Sequence, residues 1–230
     1  MIDVSVAGRG GRVVLRRAEE GNRFTAAMVA QMRDKLRELS SRVDVLTLTS
    51  DGQDFCLGRD RKEAKAGTPY DSFKLVTELN EAFSEFSGVI VSGVRGRAEG
   101  FGVGLVMRSD IAIASNGAKF MLDEVSHGIP PMFIMAAIID HLQPKKIADL
   151  IFTGREVGAA EALELGFVSR VVTDADVQGA VDRVATDLLS RNRDVLLACK
   201  RYLKEVRTIP ASGRLAYALV QQVRAAETKK

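Results

Sequence analysis

Residues 89–124, VIVSGVRGRAEGFGVGLVMRSDIAIASNGAKFMLDE, decide how the chain is read. The stretch opens as an apolar run, passes Gly96, Gly100, Gly102 and Gly104, and continues as Leu105-Val106-Met107. A second apolar run follows Asp110, and Asp123 and Glu124 close the stretch. The pattern predicts strand, glycine turn, short helix and strand, with carboxylates nearby. A glycine turn that enters a helix leaves N–H groups unpaired at the positive end of the dipole, ready to hold negative charge. The spacing is not a dinucleotide fingerprint. After Gly100 and Gly102 the third glycine position is Leu105, and the turn lies mid-chain.

Upstream, residues 3–17 read as two short strands about the turn Gly8-Arg9-Gly10-Gly11. Thr25 is placed to cap a helix whose apolar positions Met28, Val29, Met32, Leu36 and Leu39 recur at helical spacing. Residues 43–49 (VDVLTLT) are dense in β-branched side chains, which suits a sheet covered on both faces. Residues 59–68 (RDRKEAKAGT) are polar and predict a surface loop or lid. Pro69 or Asp71 then starts a helix with Phe73, Val76, Leu79, Phe83 and Phe86 on one face.

Downstream, Pro130-Pro131 breaks the chain before apolar helix 132–142, and Pro144 opens a helix to residue 152. A short helix is expected at 159–165 and a strand at 167–172, followed by helices at 174–190, 193–207 and 211–227. Strands and helices alternate early and helices stand alone late, so the fold class is α/β. The division drawn on that basis is a core over 1–172 and a helical C-terminal portion over 173–230.

Composition narrows the function classes. The chain has 33 basic and 30 acidic residues spread throughout, a net charge of +3 that makes no case for nucleic-acid binding. No apolar run approaches the roughly 18 residues that a membrane span requires. Residues 1–17 carry no signal-peptide pattern. Cys56 and Cys199 match no metal-ligand spacing, so no metal site is expected, and reduced cysteines suit a cytoplasmic setting.

A second turn, Phe55-Cys56-Leu57-Gly58-Arg59-Asp60, repeats the theme of an extended piece running into glycine. Two such turns, each aiming one backbone N–H at a single oxygen, would polarise a thioester carbonyl and stabilise an enolate-like anion. At this point the chain resembles the crotonase (enoyl-CoA hydratase/isomerase) superfamily, over almost its whole length. The residues that carry the resemblance run in order. They are Leu15-Arg-Arg-Ala-Glu-Glu-Gly-Asn22, the 55–60 turn, and Gly96-x-Ala98-x-Gly100-x-Gly102-x-x-Leu105 with Ser109-Asp110-Ile-Ala-Ile-Ala114. Phe120-x-x-x-Glu124-Val125 with Gly128-x-Pro130 follows. Last comes Thr153-Gly-Arg155 through Ala160-Glu-Ala162 to Gly166-x-Val168 and Val171-Val172, the most specific piece.

The resemblance implies a spiral of strand–strand–helix units whose helical C-terminal portion packs into a homotrimer or dimer of trimers. It implies an acyl-CoA thioester substrate, with coenzyme A entering as part of that substrate and no separate cofactor. Carried over by position, the two amide donors are Arg59 and Phe101, framed by Gly58, Gly100 and Gly102. Hydratases of this family use two glutamates, and their positions fall on Gly104 and Glu124 here, so one carboxylate is missing. A single carboxylate can shuttle a proton between two carbons of one acyl chain. Isomerisation of a 3-enoyl to a 2-enoyl thioester is therefore favoured. The alternatives are a hydratase with His127 or Asp123 as second group, hydrolytic, decarboxylating or dehalogenating chemistry on the same oxyanion site, and a non-catalytic binding subunit. Pro130-Pro131-Met132-Phe133 replaces the glycine-rich loop usual after the family's proline, and Lys62, Lys65 and Lys200 or Arg201 are candidates to meet the CoA phosphates.

Overall fold

The computed structural model describes residues 1–63 and 68–227. Among them nine strands occur: β1 (Ile2–Ala7), β2 (Gly10–Leu15), β3 (Val45–Ser50), β4 (Val89–Val94), β5 (Arg97–Glu99), β6 (Ile111–Ser115), β7 (Lys119–Met121), β8 (Glu156–Gly158) and β9 (Arg170–Val172). β1 and β2 form the antiparallel hairpin expected at the start, with Val4 opposite Val13. β3, β4, β6 and β9 then add in parallel, giving a six-stranded sheet in the order β1-β2-β3-β4-β6-β9.

A second, smaller sheet has the order β5-β7-β8. Single bridges from Cys56 to Ala98 and from Phe24 to Arg59 continue this stack with earlier turns of the chain. Each winding thus leaves one strand in the large sheet and one short extended piece in the small one, which is the spiral that the resemblance implies.

The helices are α1 (Ala26–Leu39), α2 (Pro69–Glu85), α3 (Phe101–Met107), α4 (Met132–Ile138), α5 (Pro144–Thr153), α6 (Ala159–Glu164), α7 (Val177–Leu189), α8 (Arg193–Glu205) and α9 (Arg214–Glu227). Thr25 caps α1 by accepting from the Met28 amide at 3.2 Å. α2 begins one residue after Thr68, which forms a capping box with Asp71 while Pro69 fills the first helical position.

Every residue of β4 is buried, and the side chains alternate between two layers. Leu46, Leu48 and Ile90 face one core with Met28, Met32, Leu36 and Leu79. Val45, Val89, Val91 and Ile113 face a second core completed by Ala180, Val181 and Val184 of α7. This double cover is why VDVLTLT reads as a nearly continuous apolar run. Burying each such side chain contributes about 1.5–3 kcal/mol.

Several boundaries differ from expectation. α4 stops at Ile138, not 142, and the amides of His141 and Leu142 turn back to the Ile138 carbonyl ahead of Pro144. The strand expected over 167–172 is only Arg170–Val172, since the Phe167 and Val168 amides bond to the Ala162 carbonyl and close α6. α9 starts at Arg214 because Ala211–Gly213 forms a separate tight turn. No helix among the described residues is long and apolar enough to cross a membrane.

α8 is fastened to the sheet by Lys200. Its ammonium donates to the Gly88 carbonyl and to Asp110 Oδ2 (2.9 Å), and lies 5.4 Å from the centre of the Phe86 ring. Lys200, a candidate to meet the CoA phosphates, is engaged in this packing. α9 stacks Tyr217 on Tyr202 of α8 and leaves Leu215, Leu219, Val220 and Val223 exposed.

Candidate active site

The two glycine turns meet because one runs alongside the other. The Phe55 amide donates to the Arg97 carbonyl, and the Glu99 amide returns to the Cys56 carbonyl at 2.9 Å. Gly102, in the first turn of α3, presses on that same Cys56 carbonyl so closely that any Cβ there would collide with it. Gly58 stands at φ +89°, in the left-handed region open to glycine, beside the Glu99 carbonyl. Among the described residues, neither the Arg59 nor the Phe101 amide donates to another protein group. Both residues line one cavity of about 410 Å3.

Glu124 reaches the same place. Its Oε1 lies 2.7 Å from where a Cβ on Gly100 would stand, so only glycine admits it to the entrance of α3. Oε2 is buried and has no hydrogen-bond partner among the described residues. Burial pushes the Glu124 pKa above the ordinary carboxylate range, with the neighbouring Asp123 charge adding to the shift. A carboxylate in this state exchanges a proton nearer neutral pH than an exposed one.

Around these groups the cavity is apolar. α2 supplies Phe73, Val76, Leu79 and Phe83, and α4 supplies Met132, Phe133 and Ile134. Phe73, expected on the buried face of its helix, is 53% exposed and instead stands at 5.9 Å from the Phe133 ring across the cavity. The Phe101 ring tilts onto Phe24 at 4.9 Å, so its bulk is partly taken up by the core.

A family model described as enoyl-CoA hydratase/isomerase matches residues 11–224. The chain belongs to that family. Among curated relatives, a Mycobacterium leprae protein named as an enoyl-CoA hydratase is 31% identical over 84% of this chain and 76% of its own length. The hydroxycinnamoyl-CoA hydratase-lyase of Pseudomonas fluorescens is 28% identical over 94% of this chain and 83% of its own. A Thermobifida fusca YX protein, solved in complex with CoA, superposes with a TM-score of 0.90 at 25% identity, covering 99% of this chain and 94% of that one.

Of the residues expected at a site in this enoyl-CoA hydratase/isomerase chain, Gly58, Arg59, Gly100, Phe101 and Glu124 all line the cavity. Gly102 stands behind the wall as the contact between turns. His127 does not reach it. Its ring nitrogen Nε2 is 2.6 Å from Asp123 Oδ2, and the residue is exposed. Asp123 does line the cavity, and it also faces Arg61 at 3.7 Å. Lys62 is exposed, with its amide bonded to Asp60. Lys65 and the middle of the 59–68 segment lie outside the described residues.

The position of the missing carboxylate is filled. A Cβ on Gly104 would stand 2.8 Å from Ile134 Cδ1 and 2.9 Å from Arg108 Nη1. Arg108 Nη1 donates to the Gly104 carbonyl at 2.8 Å. The sequence shows Arg108 only as one of several arginines in the central stretch. Its signal is the spacing of four residues from Gly104, which stacks the two on one helical face.

Proposed function

We propose that the protein processes acyl-CoA thioesters, with the thioester oxygen held between the Arg59 and Phe101 amides and Glu124 as the single acid/base, and that it moves a double bond from the 3- to the 2-position. The observation that carries this reading is Glu124, buried against Gly100 beside the Phe101 amide, while the other acids lining the cavity among the described residues, Asp60, Glu99 and Asp123, each have a partner. As the carboxylate, Glu124 takes the α-proton of a 3-enoyl thioester. The C–H electron pair becomes a double bond between the α-carbon and the carbonyl carbon and pushes the carbonyl pair onto the thioester oxygen, where two N–H donors stabilise a dienolate conjugated with the 3,4-double bond. Glu124 then returns its proton to the γ-carbon, leaving the 2-enoyl product. One proton leaves and one returns, so one carboxylate is enough.

Hydration of a 2-enoyl thioester is the second reading, favoured by Asp123 on the cavity wall with His127 behind it and by the hydratase names of the relatives. The exposed Leu215, Leu219, Val220 and Val223 of α9 support association through the C-terminal helices as a trimer or dimer of trimers.

The test compares 3-enoyl- and 2-enoyl-CoA thioesters with the wild type and Glu124→Gln, following the conjugated thioester by absorbance. Isomerisation by the wild type, lost in the variant, is the expected result. Water addition to the 2-enoyl substrate would replace the first reading by the second.

A further inference from the structure

Arg108 is the feature of the cavity that proton transfer at Glu124 does not use. Its guanidinium is half-buried between α3 and α4 and lines the cavity with Leu105, Phe133 and Ile134. Among the described residues no carboxylate pairs with it. Nη1 donates to the Gly104 carbonyl at 2.8 Å, and Nη2 stands 3.5 Å from the Phe133 carbonyl, at the outer limit of a hydrogen bond. A guanidinium has five N–H donors in a rigid fork, so most of its capacity is unspent. Burial alone pulls its pKa down to about 10, the sign of a cation stripped of water and given no counter-charge.

A second guanidinium behaves alike. Arg59 also lines the cavity, donates to Ser72 Oγ at 3.1 Å, feels the Glu63 carboxylate without an ion pair to it, and keeps a buried Nε with no partner among the described residues. The acids on the same wall are already engaged: Asp60 with Arg17, Glu99 with Arg97, and Asp123 with His127. Among the described residues, Glu124 is thus the one acid lining the cavity without a partner, against the two guanidiniums of Arg108 and Arg59. Helix capping accounts for one Arg108 donor and leaves the cavity-facing ones unexplained.

We propose that the acyl group this cavity accepts ends in a carboxylate, held by the Arg108 guanidinium. The inference rests on the acyl-CoA reading above and names its substrate class: short dicarboxylic acyl thioesters. Gly104, whose carbonyl Arg108 Nη1 touches, follows Phe101 by three residues, about 4.5 Å along the axis of α3. A chain of about four to six carbons spans that gap between the thioester carbonyl and a distal carboxylate. The charge at this position is thus the reverse of the glutamate that a hydratase of the family carries there.

Calorimetric titration with glutaryl-CoA, pentanoyl-CoA and free CoA tests this, since the two saturated thioesters match in length and differ in the terminal charge. The wild type is expected to bind glutaryl-CoA roughly tenfold or more tighter than pentanoyl-CoA, the scale of a charge-assisted hydrogen bond. Arg108→Met should cancel or reverse that order while leaving the affinity for free CoA within about twofold, and Arg108→Lys should keep part of the preference. Equal binding of the two thioesters by the wild type, which needs no variant to fold, would overturn the proposal, as would a preference that survives Arg108→Met. If CoA and both thioesters fail to bind the wild type, the acyl-CoA reading itself falls. Tight binding of pentanoyl-CoA alone would leave that reading standing and remove only the dicarboxylic class.

Discussion

The two ends of α3 face the same cavity with opposite charges. At its entrance Glu124 is pressed against Gly100, raised in pKa by burial, with one oxygen unpartnered. One turn further on, Arg108 folds back over Gly104, lowered in pKa by burial, with no carboxylate beside it among the described residues. In an apolar cleft, two such charges would gain by meeting. Among the described residues no ion pair joins them, and the charges nearest in effect to Glu124 are those of Asp123, Arg61 and His127. A protein that holds a half-buried anion and a half-buried cation apart has left each of them for a group that arrives from outside. On the proposed reading that group is a carbon acid at one end and an anion at the other.

The largest way to break this contrast is to remove the acid. Glu124→Gln should lower turnover by about 10²–10⁴-fold while leaving CoA binding intact, as single-turnover kinetics and titration would show. A variant with near wild-type turnover would move the proton chemistry to Asp123.

Next in size is Gly102→Ala, which strikes the two turns themselves. The added methyl collides with the Cys56 carbonyl, so the amides of Arg59 and Phe101 are forced apart. The expected cost is about 1–3 kcal/mol of stability in denaturant titration. A loss of turnover on the order of 10²-fold should accompany it, from misplaced oxyanion donors.

Gly104→Glu sharpens the comparison from the other side. Its Cβ would meet the mobile ends of Ile134 and Arg108 rather than backbone, so the site can adjust. The new carboxylate should pair with Arg108 and cancel any preference for a charged acyl chain, with turnover of uncharged substrates falling less than tenfold. Appearance of water addition in this variant, measured on 2-enoyl thioesters, would show that the missing second carboxylate is what disfavours hydration in the wild type.

The smallest effect is on stability against pH. The folded pKa of Glu124 is raised, so its contribution to stability is fully present below about pH 4 and declines as pH rises through the raised value. Glu124→Gln should therefore melt at a higher temperature than the wild type near pH 7. The difference should vanish near pH 4. A gap that widens on acidification would mean that the carboxylate is stabilised, not strained, in the folded protein.

Much of this was legible in the residues. The ordered motifs, through the family they resemble, implied the spiral, and the glycine spacing pointed to residues 55–60 meeting 96–105 and to Glu124 close by. What escaped is short or lateral. β5, β7 and β8 are three residues each, too brief for alternation to show. Phe73 reads as core by periodicity, yet faces the cavity because α2 forms its wall. His127 reads as a candidate second acid/base, and its ring nitrogen lies against Asp123 while the residue itself is absent from the cavity lining. Arg108 carries a four-residue signal from Gly104 that a motif search for carboxylates passes over.

The contact between Gly102 and Cys56 also has a kinetic meaning. It joins successive windings of the spiral that are distant in sequence, and such contacts form late because loop closure precedes them. The helices can therefore regain their signal on refolding before the two amides come together. Recovery of CoA binding should lag the recovery of helix, making ligand capture a clock for the moment when one coil closes on the next.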